Sequence, residues 1–306
     1  MGCIPLGYGG KSVWIFPIHL KLALKLFWLG FRCFGKLQTI LLCLKENDMT
    51  GFDTFFTIYI MFVSLLFGVV FGSFLNCVAY RLVRGENPFK GRSHCTSCGH
   101  TLGLLDLIPL FSYVILKGRC RYCKAKFSKR YFLTELFMGL VFATTVYKYG
   151  ISLFTLQYII LFCILFLISL IDIETYEIPN VFLVLAIINW AVFLPFLDSP
   201  LFYISRGLKG AVAIGGGIFI LSLIMDILLK KESMGGGDIK LFFVLGLYLG
   251  IPLGLLNLII SCFVGLFIIF IMKQNKIPFG PAISIATWIT LICGSEIISW
   301  YLGLFL

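Results

Sequence analysis

Two acids stand where acids are least expected. Asp238 follows Gly235, Gly236 and Gly237 and opens an apolar run in KKESMGGGDIKLFFVLG; Asp172 closes another in LISLIDIETYEIPN. A carboxylate bordering hydrocarbon is costly to keep ionised and is by default a candidate for function. If the two side chains approach within a few ångströms they cannot both ionise easily, and the pair holds one shared proton. One member can then draw a proton from water while the other polarises a peptide carbonyl, which is the chemistry of aspartic proteases. The other reading of the glycines is a flexible linker beside an incidental acid. Asp226 lacks such a turn and reads as a neutral or paired helix residue. Glu174 and Glu177 read as solvated, and Glu135 either contacts basic loop residues such as Arg130 or lines the site of a second reaction.

Four cysteines are ordered by spacing. HCTSCGH places Cys95 and Cys98, GRCRYCKAK places Cys120 and Cys123, and together they read C-x2-C-x21-C-x2-C. Each pair forms a knuckle supplying two thiolates, and two knuckles complete the sulfur tetrahedron that zinc prefers. Gly99 and Gly118 are expected to ease the sharp turns. The competing readings are disulfides or a thiol redox relay. The surrounding loop places the thiols in a reducing compartment, where structural disulfides rarely persist.

The elements that position these residues are apolar. The chain of 306 residues is 60% hydrophobic and 13% charged, with a mean hydropathy of +1.02, and it reads as an all-α polytopic membrane protein. Eight spans are expected: 54–80, 131–147, 151–171, 179–197, 207–229, 238–250, 253–272 and 281–306. From Arg81 to Arg130 there are eleven Lys and Arg against Glu86 and Asp106, which assigns this loop to the cytosol by the positive-inside rule. Counting crossings from there brings Asp172 and Asp238 to the same cytosolic border, with Lys230, Lys231, Lys273 and Lys276. The net charge of +11 is thereby explained by membrane orientation, without a nucleic-acid partner; membrane lipid is the expected surrounding. The run from Asp238 to Gly250 rises only about 20 Å as a helix, short of the roughly 30 Å of hydrocarbon. The three glycines are therefore expected to dip into the membrane as a loop. Residues 1–48 form a separate extension. They are either an amphipathic segment lying in the membrane surface, with Lys21, Lys25, Arg32 and Lys36 on one face, or a stretch upstream of a true start at Met49.

These residues together resemble the prepilin peptidases, or type IV leader peptidases, among the GxGD membrane aspartic proteases. The likeness rests on FGSFLNCVAYRL at 71–82, DLIPLFSY between the cysteine pairs, KFSKRYFLTELF after them, DIETYEIPN, the GGGD motif and PFGPA at 278–282. Thr96 and Leu107 depart from the family's usual proline and asparagine.

The resemblance implies a catalytic dyad of Asp172 and Asp238, an active-site loop of Gly235, Gly236 and Gly237, and structural zinc held by Cys95, Cys98, Cys120 and Cys123. It implies a bacterial cytoplasmic-membrane endopeptidase that removes the leader of type IV prepilins and pseudopilins at the cytosolic face. S-adenosylmethionine-dependent N-methylation of the new terminus follows in such enzymes, at a donor site the motifs do not locate. The expected domains are 1–48, the first span in 49–80, a cytosolic zinc-binding insertion of N-methylation type in 81–130 and a transmembrane protease domain in 131–306. Two rivals use the same residues: a membrane thiol redox carrier built on the CxxC pairs, and a transporter in which the two aspartates bind a cation.

Overall fold

The computed structural model describes residues 50–88, 93, 95, 97–103, 106, 108–231, 234–272 and 278–304. The expectations for 1–48, Thr96, Leu107, Lys273 and Lys276 lie outside them. The described residues are helical, without a β-strand; an isolated bridge pairs Arg119 with Lys126. Five helices are long and apolar enough to cross a membrane, and the chain is a multi-pass membrane protein. Two compact units divide it, one up to Tyr147 and one from Lys148.

In the first unit, α1 (Thr50–Val83) packs antiparallel on α3 (Lys129–Tyr149). Small residues set the approach: a Cβ on Gly68 would lie 2.5 Å from the Met138 carbonyl, and one on Gly139 would lie 2.7 Å from Val69. Such residues let helix backbones close in where no hydrophobic effect drives them together. Asn76 Nδ2 ties the pair further by donating to Thr134 Oγ1 at 2.9 Å. Between these helices the chain forms the cysteine-bearing loop and the short helix α2 (Phe111–Ile115).

The second unit is built around α4 (Leu153–Thr175), the most buried of the five spans. Its N-terminus is capped by Ser152, whose hydroxyl accepts from the Thr155 amide, satisfying one of the donors a helix start leaves open. α5 (Asn180–Phe193) follows, prolonged by a 3-10 turn at Leu194–Phe196. Next come α6 (Pro200–Ala211), a π-helical turn at Val212–Gly216 and α7 (Gly217–Leu229). This fifth span starts at Pro200, several residues ahead of the expected 207, because Pro200 occupies the first helical turn, where its missing N–H is harmless.

α8 (Gly236–Met272) is two helices joined at Gly250, whose φ of 71° and ψ of −168° are non-helical. The two legs turn back on each other: Phe242 from one and Gly265 from the other both lie against Phe279. The separate spans expected at 238–250 and 253–272 are these legs. Arg206 holds the break, donating from Nη2 to the Leu249 carbonyl at 3.1 Å, one of the acceptors a helix end leaves open. Leg 236–249 also runs against α6, where Gly210 meets Gly246 and Gly250 without intervening side chains. Hydrogen bonds from Asn189 to the Gln157 carbonyl and from Tyr248 to the Ala186 carbonyl tie α4, α5 and this leg together. The last helix, α9 (Gly280–Leu302), lies along α4 and α8. Each expected span thus has a helical counterpart among the described residues, and five of these helices have the length and apolarity of a membrane crossing.

Candidate functional site

Asp172 sits in the last turn of α4 and is buried. The helix stops there because Tyr176 turns left-handed, with φ of 57°, and returns its N–H to the Asp172 carbonyl. The carboxylate has a fixed partner: Oδ2 accepts the Gly280 N–H at 2.7 Å. Gly280 begins α9, so its amide is among those a helix start leaves free, in the field of the positive helix end. A Cβ there would fall 2.7 Å from the same oxygen, so any other residue would push the carboxylate aside. The PFGPA motif marks this stretch, but the contribution of Gly280, a backbone N–H and an absence of bulk, is not legible from its residue type.

Asp238 lies in the first turn of α8. Its backbone N–H donates to the Gly235 carbonyl at 3.1 Å. Gly236 and Gly237 are the first helical residues, rather than part of a loop dipping into the membrane as expected. Once helical, their amides become free donors of the N-terminal turn, which favours a carboxylate nearby. Gly237 serves packing: a Cβ there would stand 3.0 Å from Cβ of Ile178, in the DIETYEIPN segment. Lys240 Nζ reaches the same segment, donating to Asn180 Oδ1 at 3.1 Å.

The two motifs therefore meet. Ile178 on Gly237 and Asn180 on Lys240 bring the end of α4 to the start of α8. Glu174 and Glu177 point outward as exposed residues, and Asp226 is half-buried in α7 with an interaction partner.

The four ordered cysteines also converge. Their sulfurs lie within 4.8 Å of one another, Cys95 and Cys123 being 3.8 Å apart, with all four thiols free. Ligands about 2.3 Å from a tetrahedral zinc stand roughly 3.8 Å from each other, so the donor set fits that metal. The knuckles repeat one hydrogen-bond pattern. Cys95 N–H donates to His100 O and Gly99 N–H to Cys95 O; likewise Cys120 N–H donates to Ala125 O and Lys124 N–H to Cys120 O. The position needing a left-handed backbone is Gly99 in the first knuckle, φ 70°, and Lys124 in the second, φ 61°. Gly118, with φ 66°, makes the left-handed turn that leads into the second knuckle and also leaves room for the Tyr113 ring.

Burial pushes the Cys95 thiol up, but the Cys98 and Ser97 amides and the neighbouring sulfurs outweigh it and hold it at about 7. The Ala125 amide pulls Cys123 down, but burial and hydrogen bonds with the other three sulfurs push it up to about 11. Crowded thiols resist giving up their last protons, and a divalent cation supplies the missing charge. Asp106 braces the second knuckle from a buried position, bonding Arg121 Nε at 2.7 Å and the Gly103 amide at 3.2 Å.

Glu135, on α3, accepts the Leu110 N–H at 3.1 Å and shares a cavity with Ser73. Among the described residues it makes no ion pair with a Lys or Arg.

Residues 66–149 match the model of the Bacterial Peptidase A24 N-terminal domain, and residues 159–270 match that of the Type IV leader peptidase family. A Prepilin leader peptidase/N-methyltransferase of Neisseria gonorrhoeae is 30% identical over 78% of this chain and 94% of its own length. One of that name from Bacillus subtilis is 31% identical over 78% and 97%. A Type 4 prepilin-like proteins leader peptide-processing enzyme of Escherichia coli O78:H11 is 36% identical over 71% and 88%. No solved structure matches significantly. The redox-carrier alternative finds no support among these relatives, which are named for cutting leader peptides. Two family matches in chain order, and relatives covered nearly end to end, place this chain in the type IV leader peptidase family.

Proposed function

We propose that this protein is a membrane aspartic endopeptidase that removes the leader of type IV prepilins and pseudopilins, and then methylates the new N-terminus from S-adenosylmethionine. Support for the cleavage comes from the meeting of the two distant motifs that carry Asp172 and Asp238; the relatives' names give the substrate class and the second step. Like charges in a poorly solvated site share a proton. The ionised member takes a proton from the attacking water while the protonated one donates to the peptide carbonyl. Collapse of the tetrahedral intermediate breaks the C–N bond, and the leaving amine takes up a proton. Gly280 orients Asp172 through its amide, and Gly235, Gly236 and Gly237 keep the approach to Asp238 free of side chains.

The protein sits in the bacterial cytoplasmic membrane with the cysteine loop and both aspartates on the cytosolic side. The basic loop between α1 and α3 supports this orientation. Zinc, held by Cys95, Cys98, Cys120 and Cys123, fixes that loop structurally.

Co-expression with a candidate precursor tests the whole reading. The product's intact mass is expected to show loss of the leader and addition of one methyl group. An uncut precursor in the presence of accumulated enzyme refutes the peptidase. A finer test lies at Gly280→Ala, whose new Cβ must displace the Asp172 carboxylate. Misplacement of about 1 Å can cost on the order of 10²-fold in rate, so initial cleavage should fall by about that factor. An unchanged rate removes Gly280 from the site.

A further inference from the structure

In the first unit, α1, α2 and α3 and the knuckle loop enclose a small cavity of about 60 Å³. Ser73, Asn76, Ser112, Tyr131 and Glu135 place polar groups in a lining that is otherwise largely apolar. The volume corresponds to about two water molecules, enough for the charged head of a ligand. Nothing in the cleavage reaction uses it.

Glu135 gives the cavity its charge. The residue is half-buried, and the hydrogen bond its carboxylate accepts comes from a backbone amide, a neutral donor. An anion held this way and matched by no Lys or Arg among the described residues is poised for a cation from outside.

The amide comes from an unusual place. Leu110 has φ 59° and ψ −53°, and the Phe111 N–H closes back on the Pro109 carbonyl at 2.6 Å. This is the rarer of the two γ-turns, which side-chain-bearing residues adopt under strain. Strained backbone of this kind gathers at ligand clamps and active sites, and here it delivers the central N–H of the turn to Glu135.

We propose that this cavity binds a small organic cation head, a primary ammonium or a methylsulfonium, with Glu135 as its counter-ion. The choice of these two heads rests on the methylation reading above, in which both occur, as the new chain terminus and as the methyl donor. The anionic cavity itself stands apart from that reading.

The probes are methylammonium and trimethylsulfonium, titrated into the purified full-length protein and followed by saturation-transfer NMR. At least one should bind saturably, at least tenfold more weakly to Glu135→Gln, and equally well to Asp238→Asn. No saturable binding, or equal binding by Glu135→Gln, overturns the site. If Glu135→Gln does not accumulate, competition in the wild type decides: the probes should suppress methyl addition without slowing leader removal, and failure to do so overturns the site. Retention of labelled S-adenosylmethionine and of a processed peptide then separates the sources, since the head that Glu135 holds is the one whose parent binds more weakly to Glu135→Gln. A wild type that cuts but adds no methyl, while binding the probes through Glu135, refutes the methylation reading and leaves this site standing.

Discussion

Asp172→Asn and Asp238→Asn, each alone, should lower leader cleavage by on the order of 10³-fold or more, with undiminished accumulation of the enzyme. Asparagine keeps the size of the side chain and an oxygen for the Gly280 amide, so the contact at 2.7 Å survives in Asp172→Asn. What is lost is the shared proton, since an amide neither takes a proton from water nor passes one on. The two acids act as one device, so the double variant should be no worse than either single one, because groups that work as a unit lose their effect together. The measurement is the time course of precursor shortening on a gel, normalised to enzyme by an affinity tag. Retention of a tenth of the activity by either single variant would break the dyad, and the cation-transport rival would then regain its ground.

Metal analysis of the purified wild type should find about one zinc per chain, and Cys95→Ser or Cys120→Ser should bring it close to none. Structural zinc in small sulfur-ligated domains contributes roughly 10–16 kcal/mol of apparent binding energy, which is folding energy for the loop that carries the ligands. Cys95 and Cys120 are almost completely buried, whereas Cys98 and Cys123 are exposed. A serine at either buried site loses the ligand and leaves a hydroxyl short of partners, so these variants should be the more damaging pair. The loop should then become open to proteolysis between the knuckles, a change visible by mass spectrometry of the fragments. A chelator strong enough to strip zinc should reproduce it in the wild type. Full zinc content in Cys120→Ser would refute the tetrahedral assignment.

Helices were the most legible part of the chain, because uninterrupted apolar runs of span length leave few alternatives. Asp172 and Asp238 stood out for the same reason, as acids at the borders of such runs. Harder to read were the features made by backbone alone. Gly280 supplies an N–H, Leu110 bends into a γ-turn, and Lys124 takes a left-handed conformation that its side chain does not advertise. Gly99 and Gly118 do turn left-handed, with φ of 70° and 66°, but glycine marks permissiveness and does not announce that the equivalent turn inside the second knuckle falls on Lys124. Tertiary partners were equally hidden: neither Ile178 on Gly237 nor Asn180 on Lys240 follows from local pattern.

Leg 236–249 of α8, which begins two residues before Asp238, rises only about 21 Å before Gly250 ends it. The hydrocarbon it must cross is roughly 30 Å thick. Most of this leg is buried against neighbouring helices, Leu241, Phe242, Val244, Leu245, Leu247 and Leu249 among its residues, so protein rather than lipid makes up the missing length, and the first turn with Asp238 stands inside that wall.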